Sequence, residues 1–216
     1  MKEKIVNLYE YDELGERAKE AAREWLRGLT FTDNNDWDHV FEDAVEIGRI
    51  LGIDIATHSV ELMGGKTRQA PTIYFSGFSS QGDGACFEGD YAYAKGSVKA
   101  IKDYAPQDTE LHRIAQELFE IQKRHQYGLT ARIRVSGRHS HSGTMSVEVD
   151  HTSSAGNYVA VTPDTDSELT QLMRDFADWI YKSLETEHRY QTSDEAIEEA
   201  IRANEYTFTE NGERED

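Results

Sequence analysis

Thr72-Ile-Tyr-Phe-Ser-Gly-Phe-Ser-Ser-Gln-Gly-Asp-Gly-Ala-Cys-Phe-Glu-Gly-Asp-Tyr-Ala-Tyr93 decides the fold class. Thr72 to Ser79 is rich in β-forming residues, and Ala85 to Tyr93 alternates in polarity. Ser80 to Gly84 between them is a tight polar turn whose glycines can take positive φ, so the stretch predicts a β-hairpin. In its second strand Phe87, Tyr91 and Tyr93 share one face, and Cys86, Glu88 and Asp90 share the other. Upstream, Ile53 to Leu62 alternates in part and predicts a further strand, closed by a turn at Met63 to Lys66.

Helical periodicity flanks this β-rich centre. Asp12 to about Gly28 carries Leu14, Ala18, Ala21, Ala22, Trp25 and Leu29 as one apolar stripe. Asp36 to Leu51 carries Trp37, Val40, Phe41, Ala44, Ile47 and Leu51, and Gly52 supplies the stop. Ser97 to Tyr104 predicts a short helix that ends before Pro106, and Gln107 to Gln126 a longer one. Leu129 to Ser136 and Thr144 to His151 read as a hairpin in which Arg132 and Arg134 can pair with Glu148 and Asp150. Thr162-Pro163 opens a long amphipathic helix. Thr192 with Glu195 reads as a capping box for a last helix, to about Ala203. Tyr206 to Thr209 is a candidate edge strand for Ile5 to Tyr9. Hairpins interrupted by helix pairs predict an α+β fold, a mostly antiparallel sheet with helix pairs packed on it. The expected organisation is a single domain over 1–210 with a frayed acidic tail at 211–216.

The chain has 41 acidic and 23 basic residues, a formal net charge of -18. No dense Lys/Arg cluster interrupts that field, which argues against direct nucleic-acid binding and against anionic membranes, and for a basic protein surface as partner. A single cysteine, Cys86, cannot form an internal disulfide. With no signal peptide at the start and no apolar run long enough to span a bilayer, the expected location is the cytoplasm.

Three segments are candidates for function. In the glycine-rich hairpin, Ser79, Gln81, Asp83 and Glu88 can hydrogen-bond a ligand, although a bulged hairpin needs the same glycines. Asp83, Glu88 and Asp90 are oxygen ligands, but the spacing of a calcium loop is absent, so no metal or other cofactor is expected. In Arg138-His-Ser-His-Ser-Gly143, His139 and His141 point the same way if the backbone is extended, as ligands or acid–base groups do; a polar hairpin loop is the plainer reading. The third segment is the acidic row Asp36, Asp38, Glu42, Asp43 and Glu46, a docking face for a Lys/Arg-rich site or an ordinary solvated face. No catalytic set emerges: Cys86 has acidic neighbours, which oppose thiolate formation, and there is no nucleophile elbow, P-loop or dinucleotide fingerprint.

Tyr11-Asp-Glu-Leu, Phe75 to Gly89, His141-Ser-Gly143 and Ala203-Asn-Glu-Tyr-Thr-Phe-Thr-Glu-Asn-Gly212 together resemble a family of phage and prophage proteins. Members of that family are often labelled antitoxin of a toxin–antitoxin stability system. The resemblance implies a phage-borne cytoplasmic protein that neutralises a toxin or a defence effector, and it carries over no catalytic residues. The combined expectation is an interaction protein; the alternative is a small-ligand binder or metal-dependent hydrolase built from the hairpin and the His-Ser-His loop.

Overall fold

Glycine 52 shows how sequence sets the first turn of the fold. It ends helix α2 (Asp38–Leu51) in the left-handed region at φ 88° and donates its N–H to the Arg49 and Gly48 carbonyls. A Cβ there would lie 2.1 Å from the Ala92 carbonyl oxygen, so glycine is required twice over. The computed structural model describes residues 7–30, 37–62 and 64–214. The chain divides into two compact units, 1–36 with 185–216, and 37–184, where the sequence suggested one domain over 1–210. Asp36, the strand residues before Asn7 and Met63 lie outside the described residues.

The larger unit contains α2 and then strands β2 (Ile53–Ile55), β3 (Thr57–Glu61), β4 (Thr67–Pro71), β5 (Ile73–Ser76), β6 (Gly84–Phe87) and β7 (Gly89–Ala92). Helices α3 (Ser97–Tyr104) and α4 (Thr109–Arg124) follow, then β8 (Leu129–Val135), β9 (Met145–His151) and α5 (Pro163–Gln191), which belongs to this unit as far as Leu184. Four strands form an antiparallel sheet in the order β2-β7-β8-β9, and β3-β4 and β5-β6 are separate antiparallel pairs. The fold is α+β.

The three extended runs expected at Ile53–Leu62, Thr72–Ser79 and Ala85–Tyr93 do not each stay in one sheet. They exchange partners at one level, where the Ala56 N–H donates to Glu88 O (2.8 Å), Thr72 N–H to Ala56 O (2.7 Å) and Glu88 N–H to Thr72 O (3.0 Å). That ring of three bonds satisfies the backbone where the ladders part. Gly89 lies beside it because a Cβ there would come within 2.2 Å of Asp54 O.

One face of the four-stranded sheet is apolar and buried: Ile53, Ile55, Tyr91, Leu129, Ala131, Ile133 and Met145 join the helices in a single core. Phe87 meets Phe176 of α5 edge-on at 5.6 Å. Buried Gln122 of α4 is satisfied by both polar groups of Leu129, donating to its O at 2.8 Å and accepting from its N–H at 3.2 Å. Asp108 caps α4 through the Leu111 N–H and accepts Trp179 Nε1–H of α5 at 2.7 Å. The opposite sheet face is exposed, and Arg132, expected to pair with Glu148 or Asp150, makes its ion pair with Asp90 instead, at 3.7 Å. The register explains this: Arg132 stands opposite Glu148 on one side and Asp90 on the other.

The smaller unit holds α1 (Glu16–Thr30), α6 (Asp194–Ala203) and the strand pair β1 (Tyr9–Glu10) with β10 (Thr207–Phe208). Helix α1 begins later than Asp12 because Tyr11–Glu13 forms a 3-10 turn and Leu14 is extended. Leu29, counted in the apolar stripe, is 44% exposed. Ser193, not Thr192, caps α6, accepting the Ala196 N–H at 3.3 Å; the Thr192 hydroxyl donates to the His188 carbonyl instead. The described part of the tail is ordered: Phe208 bridges Arg214, Thr209 N–H donates to Glu213 O, and Gly212 packs so closely on Ala18 that a Cβ would lie 2.1 Å from its carbonyl oxygen. Among the described residues no helix is long and apolar enough to cross a membrane.

Candidate functional site

The two polar loops of the larger unit meet. Gly84, at the start of β6, lies under the histidine loop: a Cβ on it would come within 2.6 Å of His141 Cβ and 3.0 Å of His141 Cα. The contact sets the Gly84 backbone against the Cβ and Cα of His141, and the polar groups around it hold the loops in shape. Asp83 Oδ2 accepts the N–H groups of Ser79 (2.9 Å) and Ser80 (2.7 Å), which shapes the hairpin tip. His141 Nδ1 accepts the Gly143 N–H at 3.1 Å, and the Thr144 hydroxyl donates to His141 O at 2.7 Å. His139 and His141 lie with ring centres 6.2 Å apart. Glu88 accepts the Val135 N–H at 3.4 Å, and Gln81 is exposed at the tip.

Aromatic rings anchor the same hairpin. Trp37 packs edge-on against Phe75 (5.6 Å) and Phe78 (5.7 Å), and Phe78 stacks on Tyr181 of α5 at 5.8 Å. The Tyr181 hydroxyl donates to Gly77 O at 3.2 Å. Cys86 of the same hairpin is fully buried, and burial pushes its thiol up, away from the reactive thiolate. Among the described residues no three His, Cys, Asp or Glu side chains converge as metal ligands would. Chemically, this arrangement holds two loops in a fixed shape.

The acidic row on α2 is less bare than its sequence. Arg68 of β4 forms a two-pronged ion pair with Asp38, and Arg49 does the same with Glu46 at 2.6 and 2.9 Å. Each guanidinium holds its partner carboxyl below the ordinary carboxylate range. Asp43 accepts the Tyr104 hydroxyl at 2.6 Å, which pushes that phenol up to about 12. Of the four described residues, Glu42 alone has a side chain with no hydrogen bond or ion pair among the described residues.

Negative charge is instead laid out on the open sheet face. Asp54, Asp90, Arg132 and Glu148 stand side by side across β2, β7, β8 and β9, with Asp150 one step along β9. Asp54, Asp90, Arg132 and Asp150 line a shallow cleft of about 350 Å³. Period-2 alternation in these strands is the signal that marks this face; sequence reading assigned no site to it, because the partner order of the strands was not legible. A second hollow, of about 530 Å³, lies between α3 and α4.

Fold and surface together define an α+β domain that presents an acidic, uncovered sheet face. Residues 37–194 match the family described as Domain of unknown function (DUF8835), and the chain belongs to that family. The match begins at the residue where the larger unit begins. No curated protein and no solved structure matches the chain.

Proposed function

We propose that this protein is an acidic interaction module that binds and neutralises a basic protein, with a toxin or a defence effector in the host cytoplasm as the partner class. One observation carries the reading: a row of carboxylates stands on an exposed sheet face, while several arginines elsewhere are already held by carboxylates of their own unit. Arg23, Arg27, Arg49, Arg68, Arg113, Arg124 and Arg202 are each paired to a carboxylate in the same unit. On that face Asp54, Asp90, Glu148 and Asp150 outnumber Arg132, in keeping with the chain's net charge of -18. A field of one sign raises the encounter rate with a basic partner and rejects acidic ones. The resemblance to phage proteins labelled antitoxin supports the choice of partner class.

The test is co-purification and calorimetry against a defined panel of basic bacterial toxins and phage-defence nucleases. Binding should weaken as salt rises, and the triple variant Asp54→Lys, Asp90→Lys, Glu148→Lys should abolish it while leaving the fold intact. A panel that yields no complex at low salt, or a complex indifferent to the triple variant, would sink the reading.

A further inference from the structure

One edge of the four-stranded sheet is shielded and the other is open. At the shielded edge β2 is three residues long and lies against α2, where a Cβ on Gly48 would come within 2.9 Å of Ile53 O. The open edge is β9. Ser136 N–H donates to Thr144 O and Thr152 N–H donates to Gly128 O, just beyond the two ends of the β8–β9 ladder. In that register the even-numbered residues of β9 exchange backbone bonds with β8, and the odd-numbered ones turn their N–H and C=O groups outward. Two of these outward groups are taken: Met145 O accepts from Arg174 of α5 at 3.4 Å, and His151 O accepts the Val159 N–H at 2.9 Å. Between them, both backbone groups of Val147 and both of Val149 have no partner among the described residues.

The side chains along this edge select what can add to it. Val147 and Val149 pack against the core yet stay half-buried, whereas Ile133 and Ala131, opposite them on β8, are 0% and 5% exposed. The buried face of the sheet thus ends on two valines that one more strand would cover. On the other face Glu148 and Asp150 are exposed. β9 contains no Pro, no Lys and no bulge, the devices that commonly keep an edge from pairing, and its ladder with β8 is unbroken from Met145 to His151. Its guard is negative charge, and that guard works against a second copy of the chain. A copy that used all four open groups would set Val147 against Val149 in each direction. The two Glu148 side chains would then stand directly opposite, at the close ladder spacing of about 4.5 Å between Cα atoms, where like charges destabilise. A strand of opposite charge meets no such obstacle.

We infer that β9 receives an extended segment of the basic partner as an added strand, antiparallel like its neighbours, in which Lys or Arg alternates with apolar residues. The backbone of two apolar residues pairs with Val147 and Val149, and their side chains continue the buried face beside those valines. The basic residues between and beside them stand opposite Glu148 and Asp150 on the exposed face. Backbone bonds supply the affinity, and the alternation supplies the selection. The inference rests on the basic-partner reading above and adds to it the mode of contact. It also joins the edge to the acidic face, because the row Asp54, Asp90, Arg132 and Glu148 runs across the sheet and ends on β9.

The test titrates the 216-residue chain with three capped peptides of equal charge: the alternating Lys-Val-Arg-Val-Lys-Val, the rearranged Lys-Lys-Arg-Val-Val-Val, and the alternating peptide N-methylated at its valines. Calorimetry reads affinity, and amide hydrogen exchange reads the edge. The alternating peptide should bind saturably and slow exchange at Val147 and Val149. The rearranged and N-methylated peptides should bind about tenfold more weakly, as expected for loss of the backbone bonds. Val149→Pro removes one open N–H and spares the ladder with β8, so it should weaken the alternating peptide several-fold, with circular dichroism checking that it is folded. Should that variant fail to fold, the N-methylated peptide makes the same test from the other side. Equal affinity for all three peptides would overturn the inference and leave the basic-partner reading standing. Saturable binding of none of them at low salt would overturn it too, and the panel of whole proteins would still decide the reading above. Protection of Val147 and Val149 that rises with protein concentration in the chain alone would put a second copy on the edge, and would equally overturn it.

Discussion

The two units solve the same problem with different materials. The larger one buries Phe87, Phe176, Leu129 and Ile133 completely, within one aliphatic and aromatic core. The smaller one has a short list of buried side chains, and supplements them with Trp25 set edge-on to Tyr206 and Phe208 and with a guanidinium. Arg23 of α1 is 13% exposed; it donates to the Tyr11 hydroxyl at 3.0 Å and to Glu198 of α6 at 2.8 Å. Its Nε lies 3.8 Å from Asp194, too far for a hydrogen bond. Arg202 adds a pair to Asp12 and lies over the Tyr11 ring. A core too small to hold itself by area draws on directional polar contacts, so the smaller unit should answer to charge and the larger one to volume.

The largest expected effect tests the volume side. Phe176→Ala should lower the unfolding free energy of the larger unit by about 3–5 kcal/mol, read from urea denaturation. Next comes the charge side: Arg23→Ala strips partners from Tyr11 and Glu198 and should destabilise the smaller unit by about 2–3 kcal/mol, resolved from the larger unit by hydrogen exchange. If Arg23→Leu proved as stable as the parent, packing alone would explain the smaller unit and the contrast would fail. Gly84→Ala, which forces a Cβ against the histidine loop, should cost about 1–2 kcal/mol, with amide shifts concentrated at 139–143.

The smallest effect is a pH dependence within the larger unit. His125 ends α4; its ring meets His151 edge-on at 5.2 Å, and its Nε2 lies 3.2 Å from Thr165 Oγ1 at the start of α5. Burial first, then His151 and Arg124, hold this imidazole below its ordinary value of 6.5, with Glu168 pulling weakly the other way. The unfolded chain therefore takes up the proton before the folded one does as pH falls. The contribution is whole above 6.5 and is lost as pH drops from there through the lower folded value. His125→Gln should flatten the urea midpoint against pH across that window; an unchanged slope would show that the group is not responsible.

Much of this was legible in the sequence. Local signals were sufficient for α3, bounded by Ser97 and Pro106, for the β8–β9 hairpin, for the α5 start at Pro163 and for the pairing of β10 with β1. The strand exchange at Ala56, Thr72 and Glu88 was not, because alternation continues through each break and only the partner changes. The acidic row of α2 read as bare because two of its partners, the Arg68 guanidinium and the Tyr104 hydroxyl, come from 30 and 61 residues away in the sequence. Asp83 and His141 looked like free ligands because nothing local shows that backbone N–H groups will claim them.

The ring at Ala56, Thr72 and Glu88 also bears on how the chain assembles. β3 and β4 close over a short loop, from Glu61 to Thr67, whereas β2 and β7 meet only when Ile53 finds Tyr91. Closure entropy grows with separation, so the short hairpin forms early and the distant pairing late. Until Glu88 arrives, the Ala56 N–H and the Thr72 carbonyl lack the partners that the ring gives them. A ribosome-bound chain that has emerged only as far as β4 lacks Glu88 and cannot close the ring.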